Sequence, residues 1–185
     1  VGIQNKTTVT EVFVEIIKSP IKTIVLGWNW KAAVISASIR AGIFFFTTLK
    51  AGAGHAIQAT VAEAIFAAVV SGAMGAVTQR LRNATPVWMT GVIVSVAMPG
   101  ILQVLQYWLH LALGTPHLKA GMIVTFIYAA IAMLFNWFAM RRGALLTAGE
   151  GQSFWRDILE VPLLIGQFLI AIPVGLMKRT RVEAD

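Results

Sequence analysis

Between residues 31 and 140 the chain alternates long apolar runs with short polar breaks. Runs at about 31–49, 56–78, 87–110 and 120–140 are each near the ~20 residues a helix needs to cross hydrocarbon. The breaks, "KAGAGH", "QRLRNATP" and "GTPHLK", carry Gly, Pro and charge. Pro86 suits the opening of the third run, and Gly114 with Pro116 its close. Connections this short make successive helices antiparallel neighbours. The pattern predicts an all-α fold, a polytopic integral membrane helical bundle with four firm transmembrane helices, built as a single membrane domain over 1–185.

Two further segments flank these runs. In residues 8–26, Glu11, Glu15, Lys18 and Lys22 recur at spacings of four, three and four, which puts them on one helical face. Val12, Phe13, Ile16, Ile17, Ile21, Ile24 and Val25 fill the other face. This predicts an N-terminal interfacial amphipathic helix, bent at Pro20, with Trp28 and Trp30 marking the headgroup level. Residues 158–177 are also apolar but contain Glu160, Pro162, Gln167 and Pro173. Their length fits a fifth span; the basic tail after them fits a re-entrant segment that returns to the starting side.

Composition sharpens the membrane reading. The chain is 57% hydrophobic and 12% charged, with a mean hydropathy of +0.76. Soluble domains carry about twice that charge. The net charge of +7 does not point to nucleic acid, because the basic residues sit between and beside apolar runs. With the N-terminus cytoplasmic, Lys6, Lys18, Lys22, Lys31, Arg80, Arg82, Arg141, Arg142 and Arg156 lie inside, and Lys50 and Lys119 outside. The expected location is therefore the inner (cytoplasmic) membrane, multi-pass. Cysteine is absent, which excludes disulfides and thiolate metal sites. The N-terminal segment has acids and lysines where a cleavable signal needs an apolar core.

Candidate chemistry comes from polar residues inside the apolar runs. Arg40 stands twelve residues before Gly52 and Glu63 eleven after it, so a hairpin brings them to one depth. A lone arginine in mid-span costs on the order of 3 kcal/mol, and pairing with a carboxylate relieves that cost. The same counting adds Gln103, Tyr128 and, with a fifth span, Gln167 to this layer. It pairs Asn136 with Glu160 nearer the inner face. Ser36 and Thr60 flank the layer at helical spacing, and Ser95, Pro99, Gln103, Tyr107 and His110 run along the third helix.

Other features are weaker. His55, His110 and His117 share the outer side and are poor metal candidates, since no carboxylate accompanies them. Ser71, Gly72, Gly75 and Ala76 form a small-residue face suited to helix packing within the chain. Phe44–Phe46, Trp88, Trp108, Trp137 and Trp155 read as lipid contacts or interfacial anchors. Zincin, nucleophile-elbow, P-loop and dinucleotide signatures are missing, so no enzyme and no cofactor are expected. The expected function is a non-enzymatic membrane protein that handles a small anionic solute, ion or lipid headgroup through the Arg–Glu layer. The alternative is an accessory subunit of a larger membrane complex, with the pair as a helix clamp. Membrane lipids and a homo-oligomeric or larger assembly are the expected partners.

Overall fold

The computed structural model describes residues 7–48, 52–112 and 118–182, excepting the side chains of 43–44, 47–48, 55–56, 58–59, 62, 109–110, 112, 118–125 and 172–182. The described chain is all-helical. Seven α-helices follow in order: α1 (Val9–Lys18), α2 (Trp30–Thr48), α3 (Ala53–Leu81), α4 (Val87–Val92), α5 (Met98–Ala112), α6 (Leu118–Arg141) and α7 (Phe154–Val182). Among the described residues two segments, Glu63–Leu81 and Val87–Trp108, are long and apolar enough to cross a membrane; Phe126–Arg141 is a shorter apolar stretch. The four-span count expected from sequence is thus met for two segments. Lys31, Arg40 and the serines among them make α2 less apolar than its length suggests.

The amphipathic segment is divided. A capping box starts α1: the Glu11 N–H donates to Thr8 Oγ1 at 3.2 Å, and the Thr8 N–H to Glu11 Oε2 at 2.7 Å. The helix stops at Ser19, because the residue before a proline avoids helical geometry. A wide turn over Ile21–Val25 follows, closed by the Leu26 N–H donating to the Ile21 carbonyl at 2.9 Å. The apolar residues also serve two surfaces instead of the single lipid face expected. Val9 and Val12 are buried against Leu81 and Ala84, with Ile16 beside them. Phe13, Ile17, Ile21 and Val25 remain exposed. The Val9 N–H donates to the Thr85 carbonyl and the Thr85 N–H to the Thr7 carbonyl, both at 3.0 Å. Arg80 bridges to Glu15 at 2.9 Å, so α1 is fastened to the end of α3.

The closest packing joins α2 to α3, and the small-residue face supplies it. A Cβ on residue 72 would lie 2.0 Å from the Trp28 indole nitrogen, and one on residue 75 would lie 2.9 Å from the Cβ atoms of Ala32 and Asn29. Backbones approach closely only where side chains are absent. A second cluster joins Val94, Met98 and Leu102 to Ala129 and Met133, with Phe66 and Met74 of α3 packed against it. A third sets Ala32 against Ala139, Met140 and Leu164, and the chain after α6 returns to place Ala144, Leu145 and Leu146 in the same cluster.

A wide turn over Ile93–Ala97 separates α4 from α5, its end marked by the Met98 N–H donating to the Ile93 carbonyl. Pro99, two residues later, cannot donate and crowds the carbonyl of residue 95, and a widened turn relieves both. Its consequence is a shift of helical face. Thr90, Val94, Met98, Leu102 and Gln106 are buried along this span, as is Pro99 of the expected line, whose Ser95 and Gln103 are half-buried and whose Tyr107 is exposed.

Candidate functional site

Two polar centres lie within the bundle. The first is Arg40 and Glu63, which form an ion pair through Arg40 Nη2 and Glu63 Oε1 with side chains only 9% and 4% exposed. The Phe66 ring, one turn along α3, has its centroid 5.9 Å from the guanidinium carbon. Contact between the charges is not an aligned hydrogen bond, and Glu63 Oε1 and Thr60 Oγ1 are buried without a hydrogen-bond partner among the described residues. One turn further, Ser71 Oγ–H donates to Ser36 Oγ at 2.7 Å across the α2–α3 seam.

Beside this pair lies a cavity of about 40 Å³, lined by Ser36, Arg40, Ser71, Thr78, Tyr128 and Asn136 together with the apolar groups of Met74, Gly75, Leu102, Ala129, Ala132 and Met133. That volume has room for a few water molecules. Arg40 is the one charged group in the lining, and Glu63 is not part of it. The arginine therefore touches its counter-ion on one side and a polar space on the other.

The second centre sits where α2 begins, α3 ends and the 143–153 loop passes. Asn29 Nδ2 donates to Gln79 Oε1 at 3.1 Å and to the Leu145 carbonyl at 2.9 Å, while Asn29 Oδ1 accepts from the Ala32 N–H at 2.9 Å and so caps α2. Gln79 Oε1 also accepts from the Thr147 N–H and hydroxyl at 3.1 and 3.2 Å. Gln79 Nε2 donates to the Thr147 carbonyl at 3.2 Å and to Glu150 Oε2 at 3.3 Å. Arg82 completes this group by bridging Glu150 at 2.6 Å.

Next to it, Lys31 Nζ contacts Asp157 Oδ2 and the Gln152 carbonyl, both at 2.5 Å, with the Lys31 and Asp157 side chains 4% and 0% exposed. Gln152 Nε2 donates to Asp157 Oδ1 at 3.0 Å and to Glu160 Oε2 at 2.6 Å. Buried charges in this centre are thus paired and hydrogen-bonded, which is the condition under which burial is tolerated.

Of the expected layer, Arg40 and Glu63 meet, and Tyr128 lines the same cavity. Gln103 is not in the cavity lining; it borders a shallow groove with Gly100, Val104, Tyr107 and Phe126. The extra residue of the Ile93–Ala97 turn rotates the face, so Leu102 takes the cavity position. Half-buried Gln167 is not in the lining either; its neighbours Leu164 and Phe168 carry the α6–α7 packing, Phe168 against Phe135 and Phe138 at 5.6 and 5.4 Å. Asn136 and Glu160 do not pair. Asn136 faces the Arg40 cavity, whereas Glu160 accepts from Gln152 and Arg156. The side chains of His55 and His110, and all of His117, lie outside the described residues.

Sequence reasoning missed the second centre. Lys31 reads as a topology-setting charge, and nothing in the apolar pattern singles out Asn29 or Gln79. A signal was present in Asp157, an acid in the first turn of α7 at the end of the chain's last polar break. No family model, no curated protein and no solved structure matches this chain.

Proposed function

We propose that this is a non-enzymatic integral membrane protein that binds a small anion at Arg40, between α2, α3 and α6. The observation that carries the proposal is the placement of Arg40: buried, held by Glu63, and alone in bringing charge to a water-sized polar cavity. A guanidinium keeps its proton and offers five N–H donors, more than one carboxylate uses. Tyr128, Ser36 and Asn136 supply further neutral donors around the same space. The volume suits a halide-sized or similarly small ion and is too small for a lipid headgroup.

Support for the membrane setting comes from the outer surface. Ile57, Val61, Ile65 and Val69 are exposed at four-residue spacing along α3; Val104, Trp108 and Leu111 on α5 and Leu159, Leu163 and Ile170 on α7 are also exposed, at spacings of three, four and seven. Apolar surface this extensive needs lipid or protein cover. In this reading α2, α3, α4–α5, α6 and the unbroken α7 are five spans. The N-terminus and the 143–153 loop are then cytoplasmic, and the tail after α7 is external.

The test uses the full chain in proteoliposomes. Chloride or a similar small anion should raise the unfolding temperature of the wild type and cross the bilayer, and Arg40→Met should abolish both effects. Equal anion response in the two proteins overturns the proposal. A reporter fused after Asp185 reads the topology, with an external signal supporting five spans.

A second reading, an accessory subunit with Arg40–Glu63 as a helix clamp, is favoured by the closed pair and the small cavity. Here the apolar outer faces dock on a larger membrane partner. Chloride should then leave the wild-type unfolding temperature unchanged, and Arg40→Met alone should impair an assembly that Arg40→Met with Glu63→Leu restores.

A further inference from the structure

Arginines at the loop end of the bundle are of two kinds. Arg80, Arg82 and Arg156 face Glu15, Glu150 and Glu160 at 2.9, 2.6 and 3.2 Å. Arg141 and Arg142 have no carboxylate within ion-pair distance among the described residues, and both are exposed. Each lies over an aromatic ring one turn back: the Arg141 guanidinium carbon is 5.0 Å from the Trp137 centroid, and that of Arg142 is 3.6 Å from Phe138. The rings are firm platforms, because Trp137 packs on the Val94–Met133 cluster and Phe138 on the Ala32–Leu164 cluster. Stacking orients a guanidinium plane and leaves its N–H donors unused.

Helix C-termini often consume such donors in capping. Here the turn caps itself. The Ala144 N–H donates to the Ala139 carbonyl and the Gly143 N–H to the Met140 carbonyl, both at 3.1 Å. Gly143 takes the left-handed conformation this motif requires, with φ +87°. Two oriented, charged forks therefore stand at the end of an apolar helical stretch, Phe126–Arg141, with their donors open. Successive helical residues diverge by about 100°, so the forks do not close on one group.

The geometry points to a phosphate-binding site at Arg141 and Arg142, one phosphate to each fork, occupied by anionic phospholipid at the cytoplasmic face. Phosphate oxygens match the guanidinium fork in bidentate geometry. A lipid with no cationic headgroup, or one carrying two phosphates, suits two cations better than a zwitterion, whose ammonium opposes the second arginine. The lipid as source rests on the membrane reading above; soluble phosphate shares the chemistry.

Native mass spectrometry of the full chain in detergent, with added phosphatidylglycerol or phosphatidylcholine, reads the site. R141Q/R142Q should retain about tenfold less phosphatidylglycerol than wild type, with phosphatidylcholine unchanged. K18Q/K22Q, which also removes two exposed cations, should retain wild-type amounts. R141K/R142K should fall between, because charge survives and the fork does not. Inorganic phosphate that displaces phosphatidylglycerol from wild type supports the phosphate site and assigns it to a soluble ligand. Equal phosphatidylglycerol retention by wild type and R141Q/R142Q, with circular dichroism showing both folded, overturns the site. A chain that stays soluble without detergent overturns the membrane reading instead.

Discussion

The two polar centres, some three turns apart along α2, solve the same problem in different ways. Around Asn29, Gln79, Lys31 and Asp157, donors meet acceptors on three elements and a loop, and the paired charges are also hydrogen-bonded. Around Arg40 and Glu63 there is an ion contact, a buried Thr60 hydroxyl without a hydrogen-bond partner among the described residues and an adjoining cavity. A saturated network fixes a unique arrangement of the parts it ties together; an undersaturated one leaves capacity for water or a ligand. In the proposed function the first centre is architectural and the second is the one that binds.

Single charge removal in the saturated centre should have the largest effect. Lys31→Met strands Asp157, which is fully buried, and should cost about 3–5 kcal/mol in reversible unfolding in mixed micelles. Removing Asp157 as well should recover only part of that loss, since the Gln152 amide then loses one of its two acceptors and keeps only Glu160. Full recovery would place this pair in the same class as Arg40–Glu63.

Gln79→Leu comes next, at about 3 kcal/mol in the same assay, because it takes the acceptor from one Asn29 amide hydrogen and from the Thr147 N–H. Gly72→Ala should cost about 2 kcal/mol by pushing Trp28 off the α2–α3 seam. Its readout is a red shift in tryptophan emission together with the stability loss. The smallest stability change is expected for Arg40→Met with Glu63→Leu, within about 1 kcal/mol of wild type, because apolar residues of similar volume can replace a buried pair. A loss above 3 kcal/mol would show that the sparse centre is as architectural as the dense one.

How much of this was legible follows from which physics set each feature. The helices were readable, because apolar runs with Gly and Pro breaks recur at helical length. Arg40 and Glu63 were readable, because a short hairpin fixes depth on two adjacent helices and their register is unbroken between the charges and the turn. Which face of α5 lines the cavity was not readable: the wide turn before Pro99 interrupts the helical period, and Leu102 stands in the lining where the count had Gln103. Asn136 and Glu160 were misjoined because the 143–153 loop folds inward instead of running straight, burying Leu145 and Leu146. A depth count across that loop measures nothing.

By itself, then, the sequence determined the helical architecture, the apolar outer surfaces and the Arg40–Glu63 pairing, all consequences of local periodicity and short connections. Tertiary structure decided the saturated centre, in which Asn29, Gln79 and Leu145 meet across separations of 50 and 116 residues. It also decided which face of α5 lines the cavity, and that Arg141 and Arg142 go without a carboxylate among the described side chains. The reason is common to all three. Partners brought together by packing leave no periodic trace along the chain, and a single added residue in a helix redirects every side chain that follows.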